Sequence, residues 1–132
     1  MKVLALNSSA RSRGESKTDL MLNHLVNGMR EAGADVETVN LREKNIKNCV
    51  GCFTCMTKTP GKCVLKDDMT RDLFPRWLES DLVIYATPLF HHTVNATMKT
   101  FIERTWPICE PFLAEEEGRW FHPLRRKHPG VV

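Results

Sequence analysis

Four of the five cysteines fall within the sixteen residues "NCVGCFTCMTKTPGKC", residues 48–63, as Cys49, Cys52, Cys55 and Cys63 in a C-x2-C-x2-C-x7-C run. Thiols packed this closely serve a disulfide staple, a zinc site, a redox-active dithiol or an iron–sulfur cluster. Thiolates at i, i+3 and i+6 can wrap three corners of a cubane, and a fourth from further along closes it; the bacterial ferredoxin run begins the same way. Zinc usually takes two separated pairs, whereas here the middle cysteine is shared between pairs. A thioredoxin-type C-x-x-C opens a helix directly after a strand. Pro60 and Gly61 instead suggest a loop that folds back to bring Cys63 to the others, and Gly51 allows close approach to a bound group. Cys109 stands apart and reads as a buried free thiol.

Two other stretches carry chemistry. "NSSARSRGESKT", residues 7–18, leads into a helix start, where free backbone N–H groups and the helix dipole attract an anion. Ser8, Ser9, Ser16 and Thr18 add hydroxyls; Arg11, Arg13 and Lys17 add charge. Lys17-Thr18 fits the end of a nucleotide P-loop, but Arg11 and Ser16 stand where its glycines belong, which suits a compact terminal phosphate better. The bland alternative is a Ser-capped helix after a solvated loop. "TPLFHHTVN", residues 87–95, offers Pro88, Leu89 and Phe90 to face a flat ring, with His91 and His92 as hydrogen-bond donors. Its bland alternative is a surface turn whose Phe90 packs on the core. Together the two loops describe a pocket with a phosphate end and a planar end, as flavin mononucleotide (FMN) requires.

The elements that must position these loops follow from pattern. Residues 3–6 and 82–86 are short, continuously apolar runs of buried parallel strands, and residues 36–41 read as another strand. Leu22, Leu25, Val26 and Met29 mark one amphipathic helix, ended at Ala32-Gly33; Val94, Met98, Phe101 and Ile102 mark another. Between them Met69, Leu73 and Trp77 share a helix face; Asp67 or Asp68 is the expected cap, and Pro75 either kinks that helix or starts it. Residues 110–127 read as polar, basic and irregular, with residues 125–130, "RRKHPG", as a solvated loop or a docking face for an acidic partner or a nicotinamide phosphate. "HPGVV" reads as the entry to a fourth strand.

The alternation predicts an α/β fold, a doubly wound parallel sheet in three α/β/α layers. Its ligands belong at the carboxyl ends of the strands, where adjacent first and third strands bring both loops to one crevice. The 132 residues suit one domain, with a cysteine-rich loop at residues 48–64. A doubly wound sheet normally runs past four strands, so the chain is expected to be the N-terminal portion of a longer protein, apparently truncated at the fourth strand. Its uncovered faces predict a homo-oligomer or aggregation. A net charge of +3 from 19 basic and 16 acidic residues argues for neither nucleic acid nor a membrane surface. The four-residue apolar run at the N-terminus is too short for a signal peptide, which points to the cytoplasm and weakens the staple reading.

The strand–"NSSARSRGESKT"–helix start, "GCFTC", "CVLKDDM" and "ATPLFHHTVNATMKTFIERT" together resemble the flavodoxin-like flavoprotein family, which includes NAD(P)H-dependent FMN reductases and iron–sulfur flavoproteins. The resemblance covers Met1 to about Arg104 and implies non-covalent FMN in an oxidoreductase. Ser9, Arg11, Ser16, Lys17 and Thr18 match the phosphate-binding positions; Pro88, Leu89, Phe90 and His91 match the turn beside the isoalloxazine. It also implies a [4Fe–4S] cluster on Cys49, Cys52, Cys55 and Cys63, and either NAD(P)H or a redox partner protein as electron source. The cysteines are ranked as a cluster, then a dithiol, then zinc. No side-chain acid or base is demanded, so no catalytic residue is assigned; Asp67-Asp68 reads as capping. A flavodoxin-like electron carrier and a zinc-stabilised binding module without flavin remain as rivals.

Overall fold

The computed structural model describes residues 1–11 and 14–132. A four-stranded parallel sheet runs in the order β2-β1-β3-β6, built from β1 (Lys2–Asn7), β2 (Asp35–Asn40), β3 (Leu82–Ala86) and β6 (Gly130–Val131). The register pairs Asn7 with Asn40 on one side and with Ala86 on the other, so all three of these strands end level. β1 is buried along Val3–Asn7 because both of its faces are covered. Val3 and Ala5 face α1 (Lys17–Glu31) with Leu22, Val26, Val36 and Ile84. Leu4 and Leu6 face the opposite core with Leu73, Trp77, Met98 and Phe101, supplied by α2 (Phe74–Glu79) with the turn before it and by α3 (Ala96–Glu103). This is the expected three-layer α/β/α arrangement, and the last residues enter a fourth strand, with Gly130 opposite Leu82.

Local chemistry sets the helix boundaries. Ser16 accepts from Asp19 N at the start of α1, and Asn95 accepts from Met98 N at the start of α3. Pro75 has no N–H to complete an ordinary turn, and the chain passes through a π-helical turn, Met69–Leu73, before α2 begins with the proline in its first turn. The two options left open for Pro75 are thus both used: a distorted turn, then a fresh start.

Three expectations are corrected. Residues 110–127 are not wholly irregular: β4 (Ala114–Glu116) and β5 (Arg119–Phe121) form an antiparallel hairpin over the turn Glu117-Gly118, where both residues have positive φ. Arg125 is no free cation. Its guanidinium donates to Cys109 O and to Met56 O and pairs with Glu110 at 2.8 Å, pinning the hairpin base to the cysteine loop. Cys109 is a free thiol, half-buried rather than buried. Burial pushes its pKa up, against Arg125.

The apolar stripe of α1 is also narrower than its spacing suggested, since Leu22 is 3% exposed and Leu25 45%. Leu22→Ala should therefore cost about 2–5 kcal/mol in urea unfolding, and Leu25→Ala no more than about 0.5 kcal/mol. Equal losses at the two positions would contradict this placement of α1.

Candidate functional site

The loop after β1 and the loop after β3 meet at the carboxyl edge of the sheet. Ser8 N donates to Ala86 O at 2.9 Å, and Asn95 Nδ2 donates to Ser8 O at 2.7 Å. Asn95 N in turn donates to Thr87 Oγ1 at 3.1 Å. One buried asparagine therefore caps α3 and stitches the two loops together. Its place just before an amphipathic run is a cap signal legible in sequence, though it was not singled out there.

In the first loop Ser9 N donates to Asn7 Oδ1 and Arg11 N donates to Ser9 Oγ, so Ser9 is buried and shapes a tight turn. Ser16 is buried as the α1 cap; its Oγ accepts from Asp19 N and keeps its own proton for another acceptor. Lys17 and Thr18 open the helix, exposed and half-buried respectively. Arg11 is exposed, while Arg13 lies outside the described residues. Both the capped-helix reading and the anion reading are compatible with this geometry, because a capped helix of 15 residues still presents N–H groups in its first turn. Behind it, Asn7 Nδ2 donates to Asp19 Oδ1, while the buried Asp19 Oδ2 has no hydrogen-bond partner among the described residues.

In the second loop Phe90 and Thr93 exchange both backbone hydrogen bonds, at 3.0 and 3.1 Å, across His91 and His92. Both histidines take positive φ, 47° and 64°, the primed-turn geometry that usually selects Asn or Gly. The tight turn holds Leu89 and Phe90 outward at 75% and 56% exposure, so Phe90 is not a core residue. Pro88 is half-buried at its base, and His91 is exposed at its tip.

The cysteine loop lies at the other end of α3. Cys49, Cys52, Cys55 and Cys63 line one pocket, walled by Val50, Phe53, Val64, Leu65 and Trp106. Phe53 sits edge-to-face on Trp106 at 6.3 Å, with a positive φ of 50° that turns the chain between Cys52 and Cys55. Among the described residues no three His, Cys, Asp or Glu side chains converge as one metal ion requires. A cubane makes a different demand, one thiolate per iron, and so spreads its ligands around a group. Burial pushes the Cys55 thiol pKa up, and the neighbouring Cys63, Cys52 and Cys49 push it further. Hydrogen bonds from Thr54 push Cys52 down.

What anchors this loop is an ion pair. Asp67 and Arg104 are 0% and 2% exposed, joined by two bonds at 2.5 and 3.1 Å. Asp67 also accepts from Lys47 N and Thr70 N. Arg104, just past the end of α3, donates to Lys47 O at 2.6 Å, Thr70 Oγ1 at 3.0 Å and Cys63 Sγ at 3.5 Å. Capping was thus half of the role of Asp67, and Asp68 accepts from Asn45 N instead. The sequence signal for Arg104 was a charge three residues after Phe101, on the inward face of a helix.

Burial pushes the Asp67 carboxyl up, but the Arg104 guanidinium and the N–H groups of Lys47 and Thr70 outweigh it and hold it at about 2. Its folded pKa thus lies below the ordinary 3.8, so its stabilisation is complete above that value and drains away as pH falls toward 2. Urea midpoints measured from pH 6 down to pH 2 should show this loss. Asp67→Asn should remove it, at a cost of about 3–5 kcal/mol near neutrality because Arg104 is left unpaired. Asn95→Ala should cost about 1–3 kcal/mol for the lost cap and the unpaired Ser8 carbonyl, read by thermal unfolding.

The sequence profile of the NADPH-dependent FMN reductase family matches residues 1–122. An iron–sulfur flavoprotein of Archaeoglobus fulgidus is 40% identical over 108 residues, covering 81% of this chain and 46% of the relative. One of Methanocaldococcus jannaschii is 31% identical, covering 82% and 53%. The chain thus spans about half the length of the curated relatives it matches. Among solved structures, the NAD(P)H:quinone oxidoreductase of Methanothermobacter marburgensis superposes with a TM-score of 0.64 at 21% identity, covering 80% of this chain and 53% of that one. An azoreductase of Bacillus anthracis gives 0.62 at 18%, covering 79% and 54%. These likenesses show the flavodoxin-like fold, and with the profile match they place the chain in the NADPH-dependent FMN reductase family.

Proposed function

We propose that the chain forms one flavodoxin-like domain that binds FMN in the crevice between the first and third loops and a [4Fe–4S] cluster on its cysteine loop. In this reading it serves as an oxidoreductase that takes electrons from NAD(P)H or from a redox partner protein. The observation that carries this is the pairing of two sites at opposite ends of α3: the crevice tied by Asn95 and the four-thiol pocket tied by Arg104.

The residues present fit both groups. For the flavin, the N-terminus of α1 with Ser9, Arg11, Ser16, Lys17 and Thr18 supplies hydroxyl, cationic and N–H donors for a terminal phosphate. Pro88, Leu89, Phe90 and His91 supply an outward apolar turn for the ring, with strained His91 and His92 holding its shape. For the cluster, Cys49, Cys52, Cys55 and Cys63 supply thiolates around an apolar pocket beside a buried cation. When bound, flavin and cluster supply hydride and single-electron chemistry that side chains lack. The protein's part is to bind, orient and tune, which is why the site needs no acid or base of its own. The names of the curated relatives support the cluster over a dithiol or zinc. Free thiols of this kind also fit a reducing compartment such as the cytoplasm, and among the described residues no helix is long and apolar enough to cross a membrane.

Quenching of FMN fluorescence on titration with the protein tests the flavin half. Saturation near one FMN per chain is expected, with affinity roughly tenfold weaker in Arg11→Ala if one charge-assisted contact is lost. Absence of quenching would contradict the flavin assignment, and oxidation of NADPH would separate a reductase from a passive carrier.

Self-association completes the proposal. Phe112, Leu113, Trp120, Phe121 and Leu124 are all exposed on or beside the hairpin. Light scattering at high concentration should give a mass above that of one chain; a sharp monomer would contradict it.

A further inference from the structure

A buried ion pair is a costly way to join two segments, since well-packed apolar residues of the same volume often hold as well. Asp67 and Arg104 are nevertheless both taken fully out of water. Among the described residues Arg104 Nε has no hydrogen-bond partner, while the two terminal nitrogens reach Asp67, Lys47 O, Thr70 Oγ1 and Cys63 Sγ. An apolar pair would reproduce the packing. It would not donate to a sulfur.

We propose that Arg104 is a positioning residue for Cys63, fixing its sulfur toward the thiol pocket and raising the reduction potential of the cluster held there. This rests on the cluster reading above. The physical reason is charge. A reduced cluster is more negative than an oxidised one, and a hydrogen bond and a positive charge at a ligand sulfur favour the more negative state. Asp67 is the counterpart that makes the cation tolerable: its carboxylate grips the guanidinium end-on through both terminal nitrogens, and Lys47 and Thr70 hold the carboxylate. Cys63 is the ligand set furthest apart in sequence, after the Pro60-Gly61 turn, so it most needs a fixed partner outside the loop.

The test is a mediated electrochemical titration of the anaerobically reconstituted full chain, in which one electron passes from the electrode to the cluster with no bond made or broken. Arg104→Lys keeps a charge opposite Asp67 but cannot serve all of these acceptors from one ammonium. Asp67→Asn with Arg104→Gln removes both charges together and avoids a lone buried ion. Lys62→Gln is the control, deleting an exposed cation next to Cys63 in sequence whose side chain makes none of these bonds. With far-ultraviolet circular dichroism unchanged, the first two variants should show a reduced-to-oxidised ratio about tenfold lower at the wild-type midpoint, ~59 mV for a one-electron couple. Loss of iron from these folded variants would equally support a positioning role. A full cluster at an unchanged potential in both, or an equal shift in Lys62→Gln, would overturn the inference while leaving the cluster in place. A wild-type chain that takes up no iron would overturn the cluster reading and this inference with it.

Discussion

A carboxylate and a guanidinium taken out of water together must satisfy nearly every polar atom they carry. Asp67 and Arg104 do so by reaching into separate parts of the chain: the approach to the cysteine loop at Lys47, its exit at Cys63, the turn at Thr70 and the end of α3. The loop between Lys47 and Cys63 has no strand or helix of its own, and its pocket wall includes exposed Val50, Phe53 and Val64. Without the pair, the loop would rest on the Arg125 bond to Met56 O, the Thr100 bond to Asn48, the buried Met56 side chain and the Phe53–Trp106 contact. Conformational entropy would then favour many arrangements of the four thiols over one.

The same helix serves the opposite end of the site. Asn95 caps α3 and fastens it to the loop after β1, and Arg104 follows its last turn and fastens it to the cysteine loop. The eight residues between, Ala96–Glu103, span about 12 Å at 1.5 Å per residue. Met98 and Phe101, both 0% exposed, seat that span on the sheet. The two candidate sites are thus joined through a short, well-packed rod rather than through flexible loop. A crevice at the carboxyl edge follows from β1 and β3 being neighbours; a second site beside it follows from where α3 ends.

The parts that were legible in sequence were those set by short-range pattern. Continuous apolar runs gave β1 and β3, and the crevice followed from their adjacency. The thiol spacing marked the cysteine loop before any coordinate placed its walls. What escaped depends on long-range pairing of polar residues. Asp67 read as a cap because its neighbours in sequence show only the Thr70 contact; its partner lies 37 positions away. Leu25 fits the apolar period of α1 but lies at the stripe's edge, where a few degrees of rotation decide exposure. The β4–β5 hairpin escaped because its strands are three residues each and all but Ala114 are exposed, so no apolar alternation announces them.

The central claim is that one chain holds a flavin and a four-iron cluster at the two ends of α3. The most direct measurement is an anaerobic ultraviolet–visible spectrum of the purified protein, with FMN, iron and acid-labile sulfide assayed on the same sample. Resolved flavin bands over a broad brown shoulder, with one FMN and about four irons and four sulfides per chain as a Cys₄ cubane requires, are the predicted result. Flavin bands without iron or sulfide would contradict it and leave the four cysteines as thiols beside an FMN site.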